Sequence, residues 1–394
     1  MPLLDRACSL RRVTSALQVR PISGPEHLDH IRGRPSVSFL QTPAWAEVKN
    51  EWRGESIGWF STDGGESKLV GVGLVLFRQV PRIKRYLAYL PEGPDIGWLD
   101  QDLDAWLTPL ATYLKAQGAF GIRMGPPVVT RRWRAGTIKA AIADDALRTL
   151  GEVPADASDD AALAVVTRLR ELGWKQVPTT GGFAAGQPKY NFWVPLAHDG
   201  GPKSEDDVLA AMNQQWRRNI KKSAKAGVEV TRGKRDDLPA FHAIYAETAE
   251  RDHFTPRPLE YFERMWDALS AEEPDRLTLY LAHHEGDLVA ATTLVRVGSH
   301  AWYSYGASTT EKRDVRGSNA VQWQMMRDAL AAGADIYDMR GITATLEADD
   351  SHIGLIQFKV GTGGDAVEYL GEWDLPLNRA LYLAFTTYMR RRSG

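Results

Sequence analysis

The chain has one cysteine, Cys8, among 394 residues. That excludes an intramolecular disulfide framework and any cysteine-rich zinc or iron–sulfur site, and it fits a reducing cytoplasm. The nine histidines form no HExxH motif. His27 and His30 stand three apart without an acidic ligand pattern, so no metal site is expected. No uncharged apolar run reaches the roughly 18 residues that a membrane-spanning helix requires. Residues 1–20 include Arg6, Arg11, Arg12 and Arg20, but their apolar runs are too short for a signal-peptide core, and a loosely ordered lead-in is expected. A net charge of −2 gives no overall pull toward nucleic acid or membrane, so any polyanion must be met by local clusters of Lys and Arg. P-loop, GxSxG and dinucleotide fingerprints are also missing, which removes support for kinase, hydrolase and dehydrogenase readings.

What is present is a soluble composition, 43% hydrophobic and 25% charged, on a length that suits two or three domains. Residues 36–58 read as a strand followed by a helix, with Phe39, Trp45, Val48 and Trp52 recurring around a Thr42-Pro43 start signal. Strand-like runs follow at 57–61, 69–78 and 85–90, then an amphipathic helix at 99–117, a strand from 121 and a helix at 161–172. A similar order then repeats: a strand at 190–195, a basic helix at 205–226, a helix pair over 238–269, strands at 277–282, 288–297 and 300–307, a helix at 318–332 and a strand at 336–340. The doubled order predicts two α+β units without a detectable sequence repeat. A last helix, 378–392, ends in Arg390-Arg391-Arg392, a charge favourable at a helix C-terminus and able to meet anionic lipid headgroups.

The sharpest local feature is SEDDVLAAMNQQWRRNIKKSAKAG. Ser204 and Asp207 form a capping-box start, and Gly227 supplies the stop. At helical spacing Val208, Leu209, Met212, Trp216 and Ile220 share one arc, while Arg217, Arg218, Lys221, Lys222 and Lys225 fall on the opposite one. A charged helical face is usually only solvated, but such faces mix signs, and no acid follows Asp207. This unrelieved stripe is expected to meet a polyphosphate.

Several segments together resemble the FemABX peptidoglycan-bridge family over roughly residues 36–375: FLQTPAWAEVK, YLPEGP, RRNIKKSAKAGVEV, RDHFTPRPLEYFERM, IYDMRGI, and FKVGTGG followed by EYLGEWDLP. The resemblance implies an α+β fold with mixed sheets, built as two tandem GNAT-like domains. Their expected extents are 1–185, joined by the returning segment 372–394, and 186–371, without a coiled-coil arm. It implies a cytoplasmic, monomeric aminoacyltransferase, working at the inner face of the plasma membrane. The donor would be aminoacyl-tRNA, carrying glycine or alanine, and the acceptor the stem peptide of a lipid-linked or nucleotide-linked precursor. Aminoacyl-tRNA is then a co-substrate, and no cofactor is expected.

The family's Phe-Lys pair maps onto Phe358 and Lys359, where an ammonium group would neutralise charge developing on the broken ester. Its phosphate-contacting residues map onto Lys49, Arg257 and Tyr261, and a tyrosine near the reacting amine maps onto Tyr305 or, in the other register, Tyr303. Local physics agrees: Pro258 disfavours helix at Arg257 and suits a first helical position, which puts Arg257 and Tyr261 at a helix N-terminus. Two positions depart from the family pattern, Glu92 where many relatives have a basic residue and Gly125 where many have an acid before proline, so the general base stays open. Asp338 follows the pattern. The rival readings are an acetyl-CoA-dependent N-acetyltransferase, whose pyrophosphate loop would be RDVRGSNA with its single glycine, an aminoacyl-tRNA–protein transferase, and a non-catalytic RNA-binding module.

Overall fold

The computed structural model describes residues 17–63, 66–178, 186–198 and 201–393. Cys8 and most of the expected lead-in lie outside these residues. Among the described residues the strands form a seven-stranded sheet, a nine-stranded sheet and a two-stranded hairpin.

One unit is written twice. In the first, Arg53–Asp63, Glu66–Gln79 and Tyr86–Leu90 form an antiparallel meander, the helix Asp104–Ala116 crosses over, and Ala119–Met124 returns parallel to Tyr86–Leu90. In the second, Leu277–His284, Asp287–Val297 and His300–Ser308 form the meander, Gly317–Ala331 crosses over, and Ile336–Ile342 runs parallel to His300–Ser308. Parallel neighbours need such a crossover, and a helix supplies it. The apolar centre of Glu66–Gln79 is buried without alternation because elements cover both sides of that sheet. This is the doubled α+β order read from the sequence, in the mixed-sheet, GNAT-like form that the resemblance implied.

Two backbone details of the second unit decide where its side chains point. Parallel pairing covers only His300–Trp302 against Ile336–Asp338, and beyond it the strands diverge. Opposite Thr293 and Leu294 stand Tyr305 and Tyr303, so Ser304 is an extra residue in a bulge. The bulge resets the alternation: Tyr303 packs on the core beneath Gly317–Ala331, and Tyr305 on the core shared with the first unit.

The sheets exchange strands. Val129–Arg134 pairs with Asp365–Tyr369 in the nine-stranded sheet, where Trp133 is fully buried, while Trp373–Pro376 pairs with Ala119–Met124 in the seven-stranded one. A boundary at 185/186 therefore does not coincide with the division between the sheets. The helix Arg379–Ser393 packs back on the first unit, Phe385 meeting Phe120 at 5.2 Å between ring centroids. The helices Leu238–Arg251 and Leu259–Glu272, 14 residues each, lie on the second sheet and form no projecting arm.

Some local expectations are corrected. The region 36–58 opens with a 3-10 turn, Phe39–Gln41, and a four-residue helix, Trp45–Val48, rather than a strand and a long helix. The basic helix is two helices, Glu205–Ala211 and Gln214–Lys225, because Met212 is extended and Asn213 caps the second through Trp216 N–H. The Ser204/Asp207 capping box and the left-handed Gly227 are as expected.

Candidate functional site: a cation cluster and a polar cleft

Lys49, Arg257, Tyr261 and Tyr305 come together from separate elements. Lys49 ends the short helix Trp45–Val48, Arg257 stands two residues ahead of Leu259–Glu272, and Tyr261 lies in that helix's first turn. The Lys49 ammonium is 5.6 Å and the Arg257 guanidinium 5.4 Å from the Tyr261 ring, and the Tyr261 and Tyr305 hydroxyls are 2.9 Å apart. Pro258 is extended and serves as the N-cap, so the helix begins one residue later than its sequence suggests.

Sequence reasoning missed a third cation here. Arg264, one turn after Tyr261, has a buried Nε with no hydrogen-bond partner. Burial lowers the Lys49 pKa, Glu51 opposes this, and Arg257 and Arg264 push it down further. Lys49 is thus held against the repulsion of two arginines, with Glu51 3.6 Å from its ammonium, an arrangement that suits an anion.

At the C-terminal end of His300–Ser308, between the helices Leu238–Arg251 and Gly317–Ala331, lies a cleft of about 330 Å³. Its walls include Tyr303, Ser308, Arg251, Asn219 and Phe358, and the N-terminus of Gly317–Ala331 contributes Arg313, Arg316, Gly317 and Asn319. RDVRGSNA therefore opens a helix at the cleft wall. Asn319 Nδ2 is buried without a partner, its Oδ1 accepting from Asn219 at 3.3 Å. A helix N-terminus, added arginines and an orphan donor suit a phosphate-bearing ligand.

Phe358 and Lys359 lie on the helix Ile353–Val360, and the two side chains part company. Phe358 reaches the cleft and packs on Trp216 at 4.7 Å between ring centroids, while Trp216 Nε1 donates to Phe358 O at 2.8 Å. Lys359 is neither at the surface nor after a strand, and it is not among the cleft-lining residues. It is 3% exposed, and its Nζ donates to Gly341 O at 2.7 Å and to Arg340 O at 3.3 Å, at the diverging end of Ile336–Ile342. Burial pushes its pKa down to about 7, with Asp338 opposing and Arg340 assisting. The fixed ammonium expected there is instead an amine poised near neutrality.

Asp338 is fully buried and accepts from Trp193 Nε1, His300 Nε2 and the Arg340 backbone N–H. Burial alone would raise its pKa, but the His300 and Arg340 contacts hold it below the ordinary value. Glu92 has a specific partner: Arg340 Nη1 donates to it at 2.8 Å, tying the two sheets together. Beside Gly125 stands Glu372, its Oε1 accepting from the Tyr89 hydroxyl at 2.7 Å, and burial raises its pKa. The long separation of Glu372 from Gly125 along the chain hid this pairing from sequence reasoning.

Of the five cations on the basic helix, Arg218, Lys221, Lys222 and Lys225 are exposed. Arg217 is half-buried and donates to Ala210 O at 3.0 Å, closing the end of the preceding helix. The stripe adjoins the cleft through Asn219.

A family model described as the FemAB family matches residues 22–285 and 271–390. The chain belongs to the FemAB family. Proteins named lipid II:glycine glycyltransferase in Staphylococcus haemolyticus (strain JCSC1435) and Staphylococcus aureus (strain MRSA252) are each 24% identical to it, the matches covering 92% of this chain and 93% of each relative. Among solved structures, one titled as the crystal structure of FemX superimposes with a TM-score of 0.75 at 24% identity, covering 93% of this chain and 99% of that one. L-PGS from Bacillus licheniformis gives a TM-score of 0.50 at 10% identity, over 93% of this chain and 96% of that one. These likenesses establish a shared fold over most of this FemAB-family chain.

Proposed function

We propose that the protein transfers an amino acid, glycine in the first instance, from aminoacyl-tRNA to the stem peptide of a lipid-linked peptidoglycan precursor. The observation that carries the reading is the Lys49–Arg257–Arg264 cluster, capped by the paired hydroxyls of Tyr261 and Tyr305. Three cations held at the cost of mutual repulsion call for a multiply charged anion, and the precursor's diphosphate is one. The staphylococcal relatives, by name, act on lipid II with glycine, which supports the choice of acceptor and amino acid.

In this reading the charged tRNA end enters the cleft, with its phosphates on the N-terminus of Gly317–Ala331 and on Arg218, Lys221, Lys222 and Lys225. Phe358 packs against the terminal nucleoside. The ester is already activated, so no covalent nucleophile is required; the two substrates must be aligned across the gap between the diverging strands. The acceptor's amine attacks the ester carbonyl, the carbon–oxygen bond to the ribose breaks, and the proton leaving the amine reaches the departing oxygen directly or through water. Lys359, at the foot of the gap, is assigned to charge compensation in that step, and a pKa near 7 lets it also relay the proton.

The test offers purified protein glycyl-tRNA and alanyl-tRNA with lipid-linked and nucleotide-linked precursors, and reads the product by mass. Glycine on the lipid-linked stem is expected. No product from any charged tRNA, or acetyl transfer from acetyl-CoA to either precursor, would overturn the reading, while transfer to a protein N-terminus alone would redirect it to an aminoacyl-tRNA–protein transferase.

A further inference from the structure

We propose that the surface around Ile83 and Leu383 docks on an anionic lipid bilayer and thereby sets the Lys49–Arg257–Arg264 cluster at headgroup depth. The inference rests on the reading of that cluster as a diphosphate site.

The loop between Glu66–Gln79 and Tyr86–Leu90 exposes Arg82, Ile83, Lys84 and Arg85. Ile83 is 41% exposed, and Leu383 on the helix Arg379–Ser393 is 67% exposed, the most of any large hydrophobic side chain among the described residues. The two elements are neighbours: Val80, at the base of the loop, and Leu381, Tyr382 and Met389 of the helix pack on one small core of Leu87, Phe120 and Phe385. The helix thus spends one side on the protein and turns Leu383 outward.

Charge singles out the same two segments. Residues 78–90 contain Arg78, Arg82, Lys84 and Arg85, and residues 375–394 contain Arg379, Arg390, Arg391 and Arg392, without one Asp or Glu in either, in a chain whose net charge is −2. A face selected only for solubility mixes signs and avoids large exposed aliphatics. Exposed aliphatics set among charges of a single positive sign are what shallow insertion into an anionic interface requires. A second copy of the chain is a poor occupant, because a symmetric contact would press like charges together.

Position supplies the link to function. The Arg78 guanidinium lies 5.7 Å from the Phe385 ring of the docking helix and 5.5 Å from the Trp52 ring, and Trp52 N–H donates to Lys49 O at 2.9 Å. Arg78 therefore links the docking helix to Trp52, three residues along the chain from Lys49 of the cation cluster. A lipid-linked acceptor carries its diphosphate in the headgroup layer, so a protein seated on this face meets that group without lifting it from the membrane.

The test is co-sedimentation of the full chain with vesicles of phosphatidylcholine, alone or with phosphatidylglycerol added, using the wild type, Arg82→Glu/Lys84→Glu and Ile83→Ser/Leu383→Ser. Binding to the phosphatidylglycerol vesicles only is expected, weakening with salt and by about fivefold for each cation removed. The serine pair, at exposed positions, should fold normally, bind less tightly, and transfer to the nucleotide-linked precursor at the wild-type rate but more slowly to precursor embedded in vesicles. Equal binding to both vesicle types, unchanged binding by both variants, or a wild-type dimer dissolved by the serine pair would overturn the proposal. Vesicle binding with no transfer to either acceptor would instead sink the functional reading and leave the docking surface standing.

Discussion

Replacing Lys359 with methionine should make the protein more stable near neutral pH while removing its activity. The buried amine sits at a pKa of about 7 against an ordinary 10.5, which corresponds to roughly 5 kcal/mol spent on holding the ammonium in the fold. Methionine fills a similar volume without charge, but it leaves the Arg340 and Gly341 carbonyls without the amine, a loss of about 1 kcal/mol each. The net gain is on the order of 3 kcal/mol, or a Tm rise of roughly 3–4 °C for a chain of this size. The sign follows from the lowered pKa. Below pH 7 the amine is protonated in both the folded and unfolded states, and the cost is present in full. Between about 7 and 10.5 only the unfolded chain keeps the proton, so wild-type stability falls as the pH drops through this window and is greatest above it, relative to a variant that cannot titrate there. Melting both proteins from pH 6 to 10 beside a turnover assay tests this directly. A variant that melts below the wild type at pH 6.5, or that keeps its turnover, would show that the amine serves the fold rather than the reaction.

Tyr261→Phe removes the hydroxyl paired with Tyr305 and should raise the KM for precursor about tenfold, in line with removal of a polar interaction with a charged ligand, with little change in kcat. Lys221→Glu with Lys222→Glu should lower activity with charged tRNA and flatten its dependence on salt, each phosphate interaction abolished taking about one unit from the log–log slope; an unchanged slope would remove the helix from the donor site. Burial would raise the Glu368 pKa, but Arg131 and Lys189 hold it at about 2. Its contribution is present above about pH 4.5 and lost as the pH falls toward 2, so Glu368→Gln should cost roughly 2–3 kcal/mol at pH 7 and show a flatter acid limb in a pH-resolved melt.

The architecture was legible because both meanders are long apolar runs broken by turns, and because Ser204, Asp207 and Gly227 carry unambiguous cap chemistry. The break at Asn213 was masked: asparagine favours an N-cap over a helix interior, but the apolar spacing continues through it. The choice between Tyr303 and Tyr305 could not be made from alternation, because an extra residue at Ser304 resets it and bulges leave no compositional mark. Arg264 and Glu372 were missed for a different reason: each matters through what faces it across a chain separation of hundreds of residues. The burial of Lys359 had no signal either, since a lysine near a helix end is ordinarily solvated.

The chain passes between the two sheets four times before it is finished, and this has a bearing on how the protein can be taken apart. A fragment cut at the middle would lack Val129–Arg134 on one side and Trp373–Pro376 on the other, leaving raw strand edges that invite aggregation. The halves should regain solubility only when co-expressed. The same stitching holds Lys49 and Arg257, contributed from opposite sides of the cut, in register without any swing of one half against the other.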